Sequence, residues 1–338
     1  MPTPPTALGR LAALPAAALL AAGGLAAPAA ADTVNPASPA AISVHDPALV
    51  AGGGGEDWYV FGTGDPAVAD GNITIHTSKN GRNWEPAGHV WQTKPAWLSE
   101  EIPGVTNLWA PEVFEHGGTY YLYYSASTFG SNHSLIGLAT NTALDPDDPD
   151  YAWVDRGKVF ESHSGGDFNA IDPGIVEDAD GTPYMAFGSF WSGIRMLRLE
   201  WPSGKPAPGQ DQPLHLAGGQ PGGNAIEAPY IVRRDGYYYL FVSLGKCCSG
   251  LDSTYRIAVG RSESVTGPYV DRDGVPMRDG GATVILADRG ESVANGGQSV
   301  SGDHIAYHSY GPYDRPGNFV FAIDRIHWGP DGWPRLEP

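Results

Sequence analysis

Three carboxylic acids stand beside prolines in this chain, and together they could divide one reaction between them. Asp46 and Asp172 directly precede Pro47 and Pro173, and Glu227 lies one residue further back from Pro229. Glu112 instead follows Pro111, so it is expected to face a different way. Carboxyls that converge around an apolar mouth acquire coupled, separated ionisations. Glycoside hydrolysis uses that separation: one acid stays protonated for the leaving oxygen, and one stays ionised to activate water. A third can position the proton donor and raise its pKa by like-charge repulsion. In isolation each acid reads more simply as a solvated turn residue or strand-end cap. A calcium site built from the same carboxyls is the main competing chemistry. Recurrence at matching points of a repeat is what favours catalysis.

That repeat must position the acids. The anchor prolines Pro47, Pro111, Pro173 and Pro229 are 64, 62 and 56 residues apart. Each opens a round of short β-type runs. The most complete phrase, Phe168–Gly193, has an acid-proline pair, Ile175-Val176, an Asp180-Gly181 turn, Tyr184–Phe187 and the cluster Ser189-Phe190-Trp191. Two apolar runs about an Asp-Gly turn read as a hairpin. The fourth round ends on Tyr269-Val270 as its outer strand. The fifth has no anchor proline; it runs from Gln298-Ser299-Val300 to Phe319–Ile323 and closes on Ile326–Trp328. Five rounds of about four strands predict an all-β fold, a five-bladed β-propeller with the active site at one end of the central channel. A sandwich would not explain the recurring proline phrase. The first strand of each blade would line the channel, so equivalent positions converge there.

Composition agrees. Gly 46 and Pro 30 suit a fold rich in turns, and little of the chain has helical periodicity. A net charge of −18 excludes nucleic acid as a natural partner and disfavours highly charged pectic acids, but leaves a neutral ligand unaffected. Residues 1–31 read as a secretory signal peptide: Arg10, an Ala/Leu-rich core, and small residues ending at Ala31. Gly23-Gly24 and Pro28 argue against a membrane span. The propeller is then expected over 32–338 in a secreted, extracellular protein without a membrane partner. The two cysteines, Cys247 and Cys248, are adjacent, and export favours a bond between them.

The phrases VHDP (44–47), LWAPE (108–112), STFGSN (127–132), FNAIDPG (168–174), FGSFWSGI (187–194), IEAPY (226–230) and GKCCSGLDSTYRIAVGRSESVTGPY (245–269) closely resemble endo-1,5-α-L-arabinanases of glycoside hydrolase family 43. The resemblance covers nearly the whole chain after the signal peptide. It implies hydrolysis of internal bonds of linear arabinan, a pectin side chain, with inversion. Asp46 is then the general base, Glu227 the general acid, and Asp172 the group that orients the acid and tunes its pKa. It also places Asp46, Gly130, Asn169, Ala170, Ile171, Asp172, Ser189, Phe190 and Trp191 along the substrate. An exo-acting arabinanase, an arabinofuranosidase or a xylosidase on the same scaffold is the nearest alternative, and a non-catalytic arabinan-binding propeller the next. The protein is expected to act as a monomer. The chemistry implies no required cofactor, but a structural calcium in the central channel is an expectation. Many bacterial relatives offer that metal a His from a Gly-His-Asn phrase near the last blade. This chain has Asn295-Gly296-Gly297-Gln298 there, and Gln298 offers an oxygen but no imidazole nitrogen. His308, nearby in sequence, reads as a packed strand histidine.

Overall fold

The computed structural model describes residues 1–3, 42–52, 55–312 and 319–336. The signal-peptide core and the boundary at Ala31 lie outside the described residues. Residues Ala31–Pro338 group as one compact unit. Among the described residues no helix is long and apolar enough to cross a membrane.

Five antiparallel sheets follow one another along the chain. The first is Ala48–Val50, Trp58–Gly62, Thr74–Ser78 and Glu85–His89; the second is Trp109–His116, Thr119–Ala126, Ser134–Asn141 and Val154–Ser162. The third, Gly174–Glu177, Pro183–Phe187 and Ile194–Glu200, is completed by Lys205–Pro206 and Leu214–Ala217, both pairing with its third strand. The fourth is Ile226–Arg234, Tyr237–Leu244, Arg256–Ser262 and Thr283–Leu286; the fifth is Val293–Ser301, His304–Tyr310, Phe319–Trp328 and Pro334–Leu336. Strands join in chain order through tight turns placed where glycine is available. At Gly117-Gly118, between paired His116 and Thr119, both turn residues have positive φ, 59° and 76°. Asp235-Gly236, between Arg234 and Tyr237, repeats this at 49° and 84°. Two positive-φ residues give the turn whose twist matches the flanking strands.

Strand alternation makes the ring. In Thr119–Ala126, Leu122, Tyr124 and Ala126 pack toward blade 1, while Tyr121 and Tyr123 pack toward blade 3. In Tyr237–Leu244, Leu240, Val242 and Leu244 face blade 3, while Tyr239 and Phe241 face blade 5. Side chains of a strand alternate between its two faces, so each sheet feeds two interfaces. An apolar cluster fills each of the five junctions, including the closing one, where Val44, Leu49 and Val60 meet Ala306, Phe321 and Ile323. Hydrogen bonds add to that closure: the N–H groups of Leu49 and Ala51 donate to Ser299 Oγ and Ser301 Oγ, each at 3.0 Å.

Two outer strands differ from expectation. Val270 makes only isolated bridges, to Arg261 and Pro276, and the edge of blade 4 is taken by Thr283–Leu286. In blade 5, Phe319–Trp328 is one continuous strand, and Pro334–Leu336 forms the edge. No Gly or Pro interrupts Ile323–Ile326, and Asp324 between the two expected runs is buried and accepts hydrogen bonds from Arg289 Nη1 (2.7 Å) and Tyr307 Oη (3.0 Å). A satisfied buried acid lets the strand run on.

Candidate active site

One backbone device recurs at the head of every inner strand. Asp46, Ala110, Asp172, Ala228 and Ala294 stand at equivalent points and all have positive φ, between 41° and 57°. Four of them precede the anchor prolines; Ala294 does the same without one. Register breaks at this point in blades 2, 4 and 5 mark bulges. A bulge re-aims side chains, and a left-handed non-glycine residue costs about 1–3 kcal/mol. The five strained residues turn the strand heads toward the axis. Asp46, Asp172 and Glu227 thereby line one cleft of about 1160 Å3.

Each acid has its own surroundings. Asp46 Oδ2 accepts from Thr63 Oγ1 at 2.7 Å and bonds His45 Nδ1 at 2.8 Å. Its own N–H donates to His308 Nδ1 at 3.2 Å. Burial alone would raise the Asp46 carboxyl, but His45, His308 and the Thr63 hydroxyl together hold it well below the usual carboxylate range. Among the described residues Asp46 Oδ1 has no such hydrogen bond; His308 Nδ1 lies 3.6 Å from it. Gly297, at φ 61°, keeps that side open, since a Cβ there would stand 2.6 Å from Oδ1.

Glu227 is buried. Ser189 Oγ donates to its Oε2 at 2.5 Å, and Tyr255 Oη donates to its Oε1. Burial raises its pKa; those two hydroxyls oppose the rise, Asp46 adds to it, and the net direction is upward. Asp172 is pushed well up, first by burial, then by the charges of Glu227 and Asp46, against the Ala228 N–H that donates to its Oδ2 at 3.1 Å. One acid is thus held ionised and two are biased toward protonation.

Of the residues expected along the substrate, Gly130, Asn169, Ile171, Ser189, Phe190 and Trp191 line the cleft with the acids. Ala170 does not: it is fully buried in the core between blades 2 and 3. The segment precedes the strand Gly174–Glu177; the Ile171 N–H donates to the Asn169 carbonyl at 3.1 Å, a tight turn that leaves Ala170 in the core and its two neighbours at the cleft. Phe190 and Trp191 take consecutive positive φ values of 51° and 40°, which sets both against the cleft. Ser189 forms an isolated bridge with Glu227, and the Phe190 N–H donates to the Ile226 carbonyl at 3.0 Å, joining the aromatic pair to the strand of the acid. The sequence reading missed Thr63, Trp109, Phe129, Tyr255 and the Cys247–Cys248 pair as lining residues. Trp109 alone carried a signal: it occupies in blade 2 the place Glu227 has in blade 4. The adjacent cysteines are bonded to each other.

Below the acids the channel narrows to a cavity of about 30 Å3, bordered by Asp46, Asp172, Glu112 and Gln298. Glu112 faces this cavity and not the cleft, and burial pushes its pKa up to about 8. Gln298 is spent on the protein: its Oε1 accepts from Ser243 Oγ at 2.7 Å and its Nε2 donates to the Ala228 carbonyl at 2.6 Å. Calcium takes six to eight oxygens. The paired Gln298 amide offers such an ion no free oxygen, whereas among the described residues Glu112 Oε1 is buried with no hydrogen-bond partner. Among the described residues, His45, Asp46 and His308 are the one group whose ligand atoms converge, within 4.8 Å. His308 Nδ1 is occupied by the Asp46 N–H and His45 Nδ1 by Asp46 Oδ2, so both contacts are hydrogen bonds that hold Asp46.

A five-bladed propeller whose axis opens on an aromatic cleft with three acids, one buried and two part-buried, one held ionised and two biased toward protonation, defines a glycoside hydrolase of the two-carboxyl type. The chain belongs to glycosyl hydrolases family 43, whose model matches residues 36–334. It is 39% identical over 294 residues to an extracellular endo-α-(1→5)-L-arabinanase of Bacillus subtilis, covering 86% of this chain and 87% of that one. It is 38% identical over 312 residues to an extracellular exo-α-(1→5)-L-arabinofuranosidase of Cellvibrio japonicus, covering 88% and 87%. The solved endo-arabinanase of Bacillus licheniformis superposes with a TM-score of 0.79 at 41% identity, covering 86% of this chain and 97% of that one.

Proposed function

We propose that this is a secreted arabinanase that cuts internal α-1,5 bonds of linear arabinan with inversion, using Asp46 as base, Glu227 as acid and Asp172 as the group that tunes the acid. The carrying observation is the opposite displacement of two carboxyls in one cleft: Asp46 down, Glu227 up. The extracellular relatives support both the substrate and export.

The step follows from the free atoms. Water lies between Asp46 Oδ1 and the anomeric carbon, since Oδ2 is already saturated by His45 and Thr63. As the water oxygen bonds to that carbon, its proton passes to Oδ1. The carbon–oxygen bond to the leaving sugar breaks, and that oxygen takes the Glu227 proton. Attack from the face opposite the leaving group inverts the centre. Asp172 and Glu227 cannot both ionise cheaply at this separation, since the charge of Glu227 pushes Asp172 up, so the pair retains a proton. Phe129, Phe190 and Trp191 offer apolar faces to the C–H surfaces of the sugars.

A cleft of about 1160 Å3 exceeds the roughly 300–1,000 Å3 of a typical small-molecule site and suits several sugar units. The exo reading rests on the Cellvibrio relative. Early products from linear arabinan separate the two. Endo action is expected to release a mixture of short oligomers while viscosity falls fast; a single product size from the first minutes would establish the exo reading instead.

A further inference from the structure

The base is the end of a hydrogen-bonded chain that leaves the cleft wall and returns to it. Cys248 N–H donates to Tyr310 Oη at 3.0 Å. Tyr310 Oη lies 2.7 Å from His45 Nε2, and His45 Nδ1 lies 2.8 Å from Asp46 Oδ2. When the His45 ring carries one proton, the two ends fix every direction between them. An amide N–H can only donate, and an ionised carboxylate can only accept. His45 Nδ1 then carries that proton toward Asp46, which leaves Nε2 as an acceptor. Tyr310 donates to it, and the phenol oxygen accepts from Cys248. The ring of His45 is also fixed in its plane. It stacks on His308 at 3.7 Å between centroids and meets Phe319 edge-on at 5.1 Å. Burial pushes the Tyr310 phenol well up, so its proton stays available.

The disulfide is part of this assembly. Cys247 and Cys248 close a small ring that contains their shared peptide, the unit whose N–H reaches Tyr310. Cys248 has φ 67°, a left-handed conformation that the ring restrains. We propose that Tyr310, held by the Cys247–Cys248 ring, is a positioning residue for the base: it locks His45 in the tautomer that donates to Asp46 Oδ2, leaving Oδ1 to take the water proton. This rests on the reading of Asp46 as base. Without the phenol proton, His45 can move its own proton to Nε2 and turn a lone pair toward the carboxylate. The ionised form of Asp46 then loses a donor and gains a repulsion, so its pKa rises.

The test is Tyr310→Phe on linear arabinan across pH, beside Asp46→Asn and the double variant. Phenylalanine keeps the ring that packs with Tyr255 and Ala294 and removes only the hydroxyl. The expected result is a kcat about 10–100-fold lower with KM within about twofold, as when an orienting partner of a functional histidine is lost. The acid limb of the profile moves to higher pH, and in the Asp46→Asn background Tyr310→Phe adds no further loss. A purely structural role would not move that limb. An unchanged kcat and limb with Asp46→Asn inactive overturns the positioning role alone. Near-normal turnover of Asp46→Asn overturns the base assignment, and this proposal with it. If Tyr310→Phe does not fold, Cys247→Ser/Cys248→Ser carries the test: the same upward movement of the limb supports the proposal, and an unmoved limb overturns it.

Discussion

Glu227→Gln is expected to lower turnover of linear arabinan about 100- to 10,000-fold, the usual contribution of a positioned proton donor. The loss should depend on the leaving group. A sugar alcohol leaves poorly without a proton, so the polysaccharide reports the whole effect. A nitrophenolate leaves unaided, so an activated aryl arabinofuranoside should lose far less. Glutamine keeps the size of the acid, but it has one oxygen where Ser189 Oγ and Tyr255 Oη now each find an acceptor. Some loss of order around Tyr255 is therefore expected even on the aryl substrate. Equal losses on both substrates, measured as kcat/KM, would contradict the acid role. The parent enzyme should lose activity as pH rises through the raised pKa of Glu227, because only the protonated form can donate.

Asp46→Asn is expected to cost as much, about 100- to 10,000-fold, but on both substrates alike, because water must be activated whatever leaves. Asparagine can still face Thr63 and His45, yet it has no charge to draw a proton from water. Azide, which attacks without giving up a proton, should restore part of the rate and yield the glycosyl azide of inverted configuration. The ionised state of Asp46 is secured by His45, His308 and Thr63, so the parent should stay active well into acid and fail as pH falls through the lowered pKa. A variant within about tenfold of the parent on both substrates, without azide, contradicts the base assignment.

The blades and the acids were readable from local pattern because each depends on a few adjacent residues. An acid, a proline, an apolar run and a glycine turn signal one inner hairpin, and repetition signals the ring. Blade 5 shows where this stops. Ala294 takes the same left-handed conformation as the residues before the anchor prolines, but no proline marks it. Ala170 shows another limit: it lies two residues from Asp172 in the FNAIDPG phrase, and only the tight turn closed by the Ile171 N–H and the Asn169 carbonyl reveals that it packs into the core.

The surroundings of Asp46 were not readable at all. His45 meets Tyr310 across 265 residues of chain, and Asp46 meets His308 across 262. Nothing in the Tyr307-His308-Ser309 run distinguishes a strand histidine packed in a blade from one that accepts the N–H of Asp46. Closing the ring creates those contacts, because the first and last blades become neighbours only when the propeller is complete. Gln298 is similar. Its sequence suggested a metal-facing amide, but Ser243 and the Ala228 carbonyl of blade 4 already engage both ends of it.

Proton NMR of the reducing ends formed in the first minutes, before they equilibrate, tests the division between Asp46 and Glu227 most directly. Release of the β-anomer from an α-linked arabinan is the outcome expected when water attacks opposite the leaving sugar. Appearance of the α-anomer first would mean a covalent sugar–enzyme intermediate, and Asp46 acting on water in a single displacement would be wrong.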